Sequence, residues 1–416
     1  MEPNAMAEAA EKQAKSSLAV PLAVLALLAL AWVVYVYTNQ AWLETLEQVA
    51  DWIAKPVINF RTLQVEGIPQ AALATVEILI LGLLSAHALL VGEKDTLVKL
   101  LSVLGLGAGL TGLITIILGI FGVLYQIPLN TAILLLCCGF LFCVFRKHKG
   151  QRKPSAREFL KAWLAIIKLR PSNLRAWLLP CVAVSVIFFL CFYHALLTVI
   201  MHWDATVYHA VMSIIMYNNH GIPVIAGPSI GIQMSANFPP LFSALGAFYY
   251  IQMGLIEDFY LRAIPPVMGV LTVLATYKIG ETLAGKRYGL IAALLLAMTP
   301  LFFRYSIYAT SYSTLTFFGT ATVMFLFLAM KKAENRYWAM SGIFYGFALL
   351  TSYLAMYLAP FLIIALAAVL IRKRWGITAS TKIFLLLVLP ALLIGGVWYT
   401  RNFVLLGNPV YPNAYT

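Results

Sequence analysis

Apolar runs long enough to cross the roughly 30 Å of a bilayer's hydrocarbon, about 20 residues each as helices, recur along the whole chain. They fall near residues 18–37, 71–92, 98–124, 129–145, 176–200, 264–282, 289–303, 312–330, 337–352, 354–371 and 383–400, which predicts about eleven membrane helices. Between the first two runs, Trp42, Leu43, Leu46, Val49 and Ile53 recur at helical spacing opposite Glu44, Glu47 and Asp51. Within Ala41–Gln70 this is the pattern of an amphipathic helix lying in the membrane interface. Among the later runs the connections are short except for residues 201–263, whose aromatics and prolines argue for an ordered, functional loop. Inside that loop Asp204–Asn219 reads as a helix along the membrane surface, closed by Asn219-His220-Gly221 with Pro223 beyond. Leu241–Met253, after Pro239-Pro240, is too short for a span and reads as interfacial or re-entrant.

Composition agrees with that pattern: 62% of the 416 residues are apolar, 11% are charged and mean hydropathy is +0.87, which excludes an ordinary soluble domain. The fold class expected is an all-α polytopic membrane protein. A net charge of +13 would suggest nucleic acid in a soluble protein, but here the basic residues alternate sides. With a cytoplasmic N-terminus, Lys12, Lys15, Lys94, Lys99, the stretch Arg146 to Arg175, Lys286, Arg287, Lys331, Lys332, Arg336 and Arg372 to Arg374 all lie inside. Of 29 positive residues, only Lys55, Arg61, Arg262, Arg304 and Arg401 are then outside, a strong positive-inside bias. The expected location is the cytoplasmic (inner or plasma) membrane, with the long loop extracytoplasmic and no nucleic-acid partner.

Residues 1–150 read as an accessory four-helix region, 151–175 as a basic cytoplasmic linker, and 176–416 as a second module carrying the outer loop. The run at 18–37 is long and lacks a small-residue cleavage site, so a retained span is expected. Cys137, Cys138, Cys143, Cys181 and Cys191 all fall in apolar runs and read as small core residues. Gly105, Gly107, Gly109 and Gly112 have the spacing of a nucleotide loop, but no strand precedes them, so close helix packing is expected.

The candidate chemistry concentrates in Trp203-Asp204-Ala205-Thr206-Val207-Tyr208-His209, which opens the outer loop. An acid at the mouth of a membrane bundle, partly desolvated, is well placed as a base for a lipid-borne substrate; the other reading of Asp204 is a helix N-cap. His202, His209 and His220 are the available metal-type partners of Asp204. Asp204 and His209, five residues apart, do not share a helical face, and no metal site is assigned. Glu257 and Asp258 are a second acid or cation-binding pair, or else solvated carboxylates at a loop end. Arg262, Arg304 and Arg401 stand at outer helix ends, where a guanidinium fork suits a lipid phosphate and snorkelling is the competing account.

The succession continues. After Tyr208-His209 come Asn219-His220-Gly221-Ile222-Pro223, Asn237-Phe238-Pro239-Pro240-Leu241, Phe259-Tyr260-Leu261-Arg262 and Gly285-Lys286-Arg287-Tyr288-Gly289. Arg304-Tyr305-Ser306-Ile307-Tyr308-Ala309, Gly342 to Thr351, and Arg401-Asn402 to Gly407-Asn408-Pro409-Val410-Tyr411-Pro412 complete it. In order and spacing it resembles the GT-C membrane glycosyltransferases, above all the branch with protein O-mannosyltransferases and the aminoarabinose transferases of lipid A.

That resemblance implies a module of seven spans, which the runs between 176 and 400 match, and a cavity at the outer leaflet. It implies transfer of a sugar from a polyprenyl-phosphate carrier to a protein, lipid or cell-envelope glycan acceptor, with inversion. Asp204 takes the place of the proposed base; Arg262 and Arg304, and more distantly Arg401, take the places of arginines that hold the lipid phosphate. Tyr208, His209, Asn237, Tyr308 and Tyr312, with Glu257 and Asp258, complete the expected substrate-binding set. No obligatory metal or cofactor is expected, a divalent metal being the lesser alternative.

Two departures stand out. Relatives often carry an acid where this chain has Tyr312, flanked by Ser311 and Ser313, and four spans precede a module that usually comes first. The other function classes are a transporter or flippase and a non-catalytic polyprenyl-lipid-binding relative. Transporters place ionisable groups near mid-membrane, where only Glu77, His87 and His194 are expected here.

Overall fold

The computed structural model describes residues 65–147, 174–200, 202–224, 237–373 and 377–412, and among these it contains helices and turns but no strand. The expected span at 18–37, most of the amphipathic segment and most of the basic linker lie outside the described residues. In chain order the helices are α1 (Ile68–Leu89), α2 (Thr96–Ile120), α3 (Gln126–Lys147), α4 (Leu174–Leu197), α5 (Ala210–Asn218), α6 (Leu241–Met253) and α7 (Asp258–Ala284). They continue as α8 (Lys286–Ala297), α9 (Pro300–Tyr305), α10 (Ser311–Lys332), α11 (Asn335–Thr351), α12 (Ala359–Lys373) and α13 (Ile377–Leu406). Among the described residues, seven stretches are long and apolar enough to cross a membrane: α1, α2, α3, α7, α10, Tyr353–Ile371 and α13. The protein is thus an all-α polytopic membrane protein.

Local sequence sets the helix ends. Asp95 caps α2 by accepting the N–H groups of Leu97 and Val98 at 3.0 and 3.1 Å. Gly67, at φ 69°, turns the chain into α1 with a left-handed conformation that favours glycine. The run at 289–303 departs from expectation, because it is not one helix. It breaks at Met298-Thr299 between α8 and α9, where Pro300 has no N–H to continue the ladder and its ring would meet the carbonyl four residues back. Arg304 therefore sits at the close of a short helix rather than at the end of a span.

Packing explains the glycines of α2. A methyl group at Gly107 would lie 2.4 Å from the Ile78 carbonyl oxygen, and one at Gly109 would lie 2.4 Å from the Phe347 ring. Gly105 meets Phe344 and Gly112 meets Leu241 in the same way. The glycines let α2 approach α1 on one side and α11 and α6 on the other. One continuous apolar core consequently runs from Leu81 and Leu106 through Phe242 and Phe318 to Phe344 and Trp398. Helix α6 lies within it with every residue but Tyr249 buried. Of the two expectations for Leu241–Met253, enclosure among helices fits insertion, whereas an interfacial helix would keep an open face.

The turns that the charge pattern predicts to be cytoplasmic converge at one end of the bundle. Lys278 pairs with Asp95 and, at 2.6 Å, with Glu281; Glu93 accepts from Tyr337 and lies 3.5 Å from Lys332 and 3.7 Å from Arg336. Lys331 donates to the Thr282 carbonyl at 2.6 Å, closing α7 against α10. Burial by itself would raise Asp95 and Glu93, but the Lys278 hydrogen bond on the first and the Tyr337 hydrogen bond on the second hold both below ordinary carboxylate values. At the opposite end the 121–125 turn is tied to the loop at 201–263. Leu124 N–H donates to the His220 carbonyl at 2.9 Å, Ile222 N–H donates to Gly119 at 2.7 Å, and the His220 ring stacks on Tyr125 at 4.1 Å. The loop expected to carry the chemistry is therefore braced by the N-terminal helices.

Candidate active site

Asp204 stands immediately before a single π-helical turn, Ala205–His209, that feeds α5. In that turn the Ala210 N–H reaches back five residues to the Ala205 carbonyl, so the helix carries one residue more than an α-turn would. The His209 carbonyl receives the Ser213 hydroxyl at 3.1 Å and the Ser243 hydroxyl at 2.9 Å, which fastens the turn to α6. Asp204 itself is helical, at φ −62° and ψ −31°, and its side chain makes no capping bond. The helix-cap reading is set aside on that geometry. The carboxylate turns toward α10 instead, where the Tyr312 hydroxyl donates to Asp204 Oδ2 at 2.9 Å.

The carboxylate lines a cavity of about 260 Å³ with Tyr208, His209, Phe238, Pro239, Ser311 and Tyr312, closed by Thr351 to Leu354 after α11. These walls belong to the end of the bundle away from the ion-paired turns, since α10 begins and α11 ends there. Tyr208 meets Phe238 edge-on at 5.9 Å, and Phe238 lies 6.0 Å from Tyr353, so one side is aromatic. Burial pushes the His209 imidazole down to about 4, against the pull of Asp204 and with a small push from His202. His209 is therefore neutral near pH 7, and Asp204 is the one acid among the cavity's described walls. Such a chamber has room for a single sugar ring, with aromatic faces for its C–H side and hydroxyls for its edge.

On the other side of Tyr312, an aromatic run leads to Arg304. Tyr305 lies 4.7 Å from Tyr312, and Tyr308 lies 4.3 Å from His202. Arg304 Nε donates to the Tyr308 hydroxyl at 3.1 Å. The Asp204 N–H in turn donates to His202 Nδ1 at 3.2 Å. Burial lowers His202, with the Asp204 charge opposing and the Arg304 charge reinforcing, so this imidazole lies within the fields of both groups.

The remaining expected residues have other partners. Arg262 is buried, and its guanidinium donates to the Leu196 and Thr198 carbonyls at 2.8 and 2.6 Å, capping the end of α4. Arg401, also buried, donates to the Pro223 carbonyl at 3.0 Å and to Asn402 Oδ1 at 2.7 Å, reaches Asn237 Oδ1 at 3.5 Å, and covers the Trp398 ring at 4.6 Å. A phosphate would have to displace these bonds, and neither arginine lines the cavity, nor does Arg304. Glu257 caps α7 through the Phe259 N–H at 3.0 Å, and Asp258 accepts the Tyr250 hydroxyl at 2.8 Å. Asn237 acts through its carbonyl, which receives Tyr353, Asn402 and Trp398 at 3.0, 3.1 and 3.2 Å. It thereby sets the neighbouring Phe238 and Pro239 in the cavity wall.

Ser352, Tyr353 and Leu354 line the cavity without having been singled out in the sequence. The available signal was a serine and a tyrosine directly after an apolar run, which by itself reads as an ordinary span end. Among the described residues no three His, Cys, Asp or Glu side chains are grouped as a metal site. No curated protein and no solved structure matches the chain. Residues 237–394, which begin after Asp204 and end before Arg401, match the dolichyl-phosphate-mannose-protein mannosyltransferase family. With the apolar helices around it, that match supports a membrane glycosyltransferase of the GT-C type.

Proposed function

We propose that the protein transfers a sugar from a polyprenyl-phosphate carrier to a hydroxyl-bearing acceptor on the extracytoplasmic side, with inversion at the anomeric carbon. The observation that carries this reading is the single carboxylate, Asp204, in an aromatic cavity at the end of the bundle remote from the basic turns. In the reaction the acceptor oxygen bonds to the anomeric carbon from one face while the carbon–oxygen bond to phosphate breaks on the other. Asp204 takes the acceptor's proton as the bond forms. The polyprenyl phosphate leaves with the bonding electrons, and its charge is met by Arg304, which hydrogen-bonds Tyr308 and acts electrostatically on His202, the imidazole that accepts the Asp204 N–H. Arg262 and Arg401 take structural roles in this reading, and Arg304 is assigned to the phosphate for its electrostatic reach to His202 beside Asp204.

The cavity's size fits one monosaccharide, and its neutral histidine and lone acid suit an uncharged sugar such as mannose. Purified protein in vesicles, given radiolabelled polyprenyl-phosphate mannose and membrane acceptors, is expected to transfer label. Asp204→Asn is expected to lower transfer by about 10²–10⁴-fold while leaving carrier binding and the melting temperature near those of the unmodified chain. Full turnover by that variant would falsify the assignment.

A further inference from the structure

We infer that Tyr312 is a positioning residue for Asp204: its hydroxyl holds Oδ2 and leaves Oδ1 as the oxygen that takes the acceptor's proton. The inference rests on the transferase reading and adds to it an orienting group on a separate helix. Asp204 lies just ahead of the π-turn and Tyr312 at the start of α10, so the 2.9 Å bond joins two elements remote in sequence. Among the described residues no other side chain hydrogen-bonds the carboxylate. Without that bond the carboxylate would rotate freely about its last torsion, exchanging its two oxygens.

The tyrosine is itself well held. Its ring packs on Tyr305 at 4.7 Å, and the Ser313 hydroxyl donates to the Tyr305 carbonyl at 2.6 Å, locking the first turn of α10 onto the end of α9. Deleting the hydroxyl of a substrate contact would raise KM, and deleting a group needed only for packing would lower the melting temperature; deleting a positioning group lowers kcat and leaves both unchanged.

Tyr312→Phe keeps the ring on Tyr305 and deletes the hydroxyl. In the vesicle assay with radiolabelled polyprenyl-phosphate mannose, kcat is expected to fall about 10–100-fold, the cost of a misplaced reacting group. KM for the carrier should stay within about twofold, and the melting temperature should be unchanged. Tyr312→Gln, which retains an N–H donor, is expected to recover part of the lost kcat; if it recovers none while the Phe variant melts normally, the donor role is overturned. Wild-type kcat in the Phe variant overturns the inference, as does a raised KM with kcat unchanged, which marks a substrate contact. If the unmodified protein transfers no label at all, the transferase reading fails and the positioning role with it. If it transfers, Asp204→Asn is inactive and Tyr312→Phe is normal, only the positioning role fails.

Discussion

At one end of the bundle Glu93, Asp95 and Glu281 are matched by Lys278, Lys332 and Arg336, within α7 for Glu281 and across helix boundaries for Glu93 and Asp95. At the other end Asp204 meets a neutral tyrosine hydroxyl, its nearest imidazoles are depressed by burial, and Arg304 is set off along a run of aromatic rings. The same residue types thus do different work. Paired charges fix how α1–α2, α7 and α10–α11 meet, whereas a carboxylate held by a neutral donor keeps its charge available for a proton.

The widest separation between the two ends comes from one substitution made at both. Asp204→Asn is expected to remove turnover and spare stability. Asp95→Asn keeps the α2 cap, since asparagine caps as well as aspartate, and loses only the pairing with Lys278. It is expected to cost roughly 1–3 kcal/mol of stability, below the loss for a fully buried pair, with kcat unchanged; a melting curve and the transfer assay on both variants decide it. Arg304→Gln comes next, lowering kcat about 10²–10³-fold through lost stabilisation of the leaving phosphate. If Arg304→Gln transfers normally, the phosphate must be met elsewhere and the comparison loses its second term.

Arg401→Lys tests the buried arginine that the sequence pointed to as a phosphate ligand. A lysine keeps the charge but not the fork that reaches Pro223, Asn402 and Asn237 together, so destabilisation of roughly 1–3 kcal/mol is expected. Carrier affinity in the surviving folded protein should be unchanged, and a selective loss of affinity would return Arg401 to the phosphate. The smallest effect is in pH dependence. His209 titrates at about 4 against an ordinary 6.5, so the unfolded chain binds its proton more readily. Its contribution is fully present above pH 6.5 and is lost as pH falls toward 4. Asp95, held below 3.8 in the folded chain, loses its contribution only below that value. His209→Gln should flatten the upper window and Asp95→Asn the lower one, as read from melting temperature against pH.

Span positions were legible because a long apolar run identifies itself without knowledge of its neighbours: α1, α2, α3, α7, α10 and α13 lie where the pattern set them. The exception, 289–303, shows where that reading stops, since hydropathy does not register the break that Thr299-Pro300 makes. Asp204 was legible as a lone acid after an apolar run, and Arg304 as one of the few positive residues that break the alternating charge pattern. The fates of Arg262 and Arg401 were not, because Arg262 meets the backbone carbonyls of Leu196 and Thr198, which have no signature in sequence, and Arg401 meets Pro223 and Asn237 only once the fold brings them together. Tyr312 was visible as a missing acid, and its bond to Asp204 became visible only when α10 was brought against the outer loop.

The π-turn at Ala205–His209 bears on how changes of chain length are tolerated here. It amounts to one residue inserted into a helix, and deleting any one residue of the turn lets the helix relax to ordinary α geometry. The wide turn absorbs that extra residue, so the residues on either side keep the direction they would have in an α-helix one residue shorter, and such a deletion leaves the aspect of Asp204 relative to α5 unchanged. Closing the turn to α geometry without a deletion would instead rotate Asp204 by about 100° round the helix axis. Alignments across this loop should therefore be anchored on the Asp204–Tyr312 pair, and a one-residue gap within Ala205–His209 read as loss of the wide turn rather than of the site.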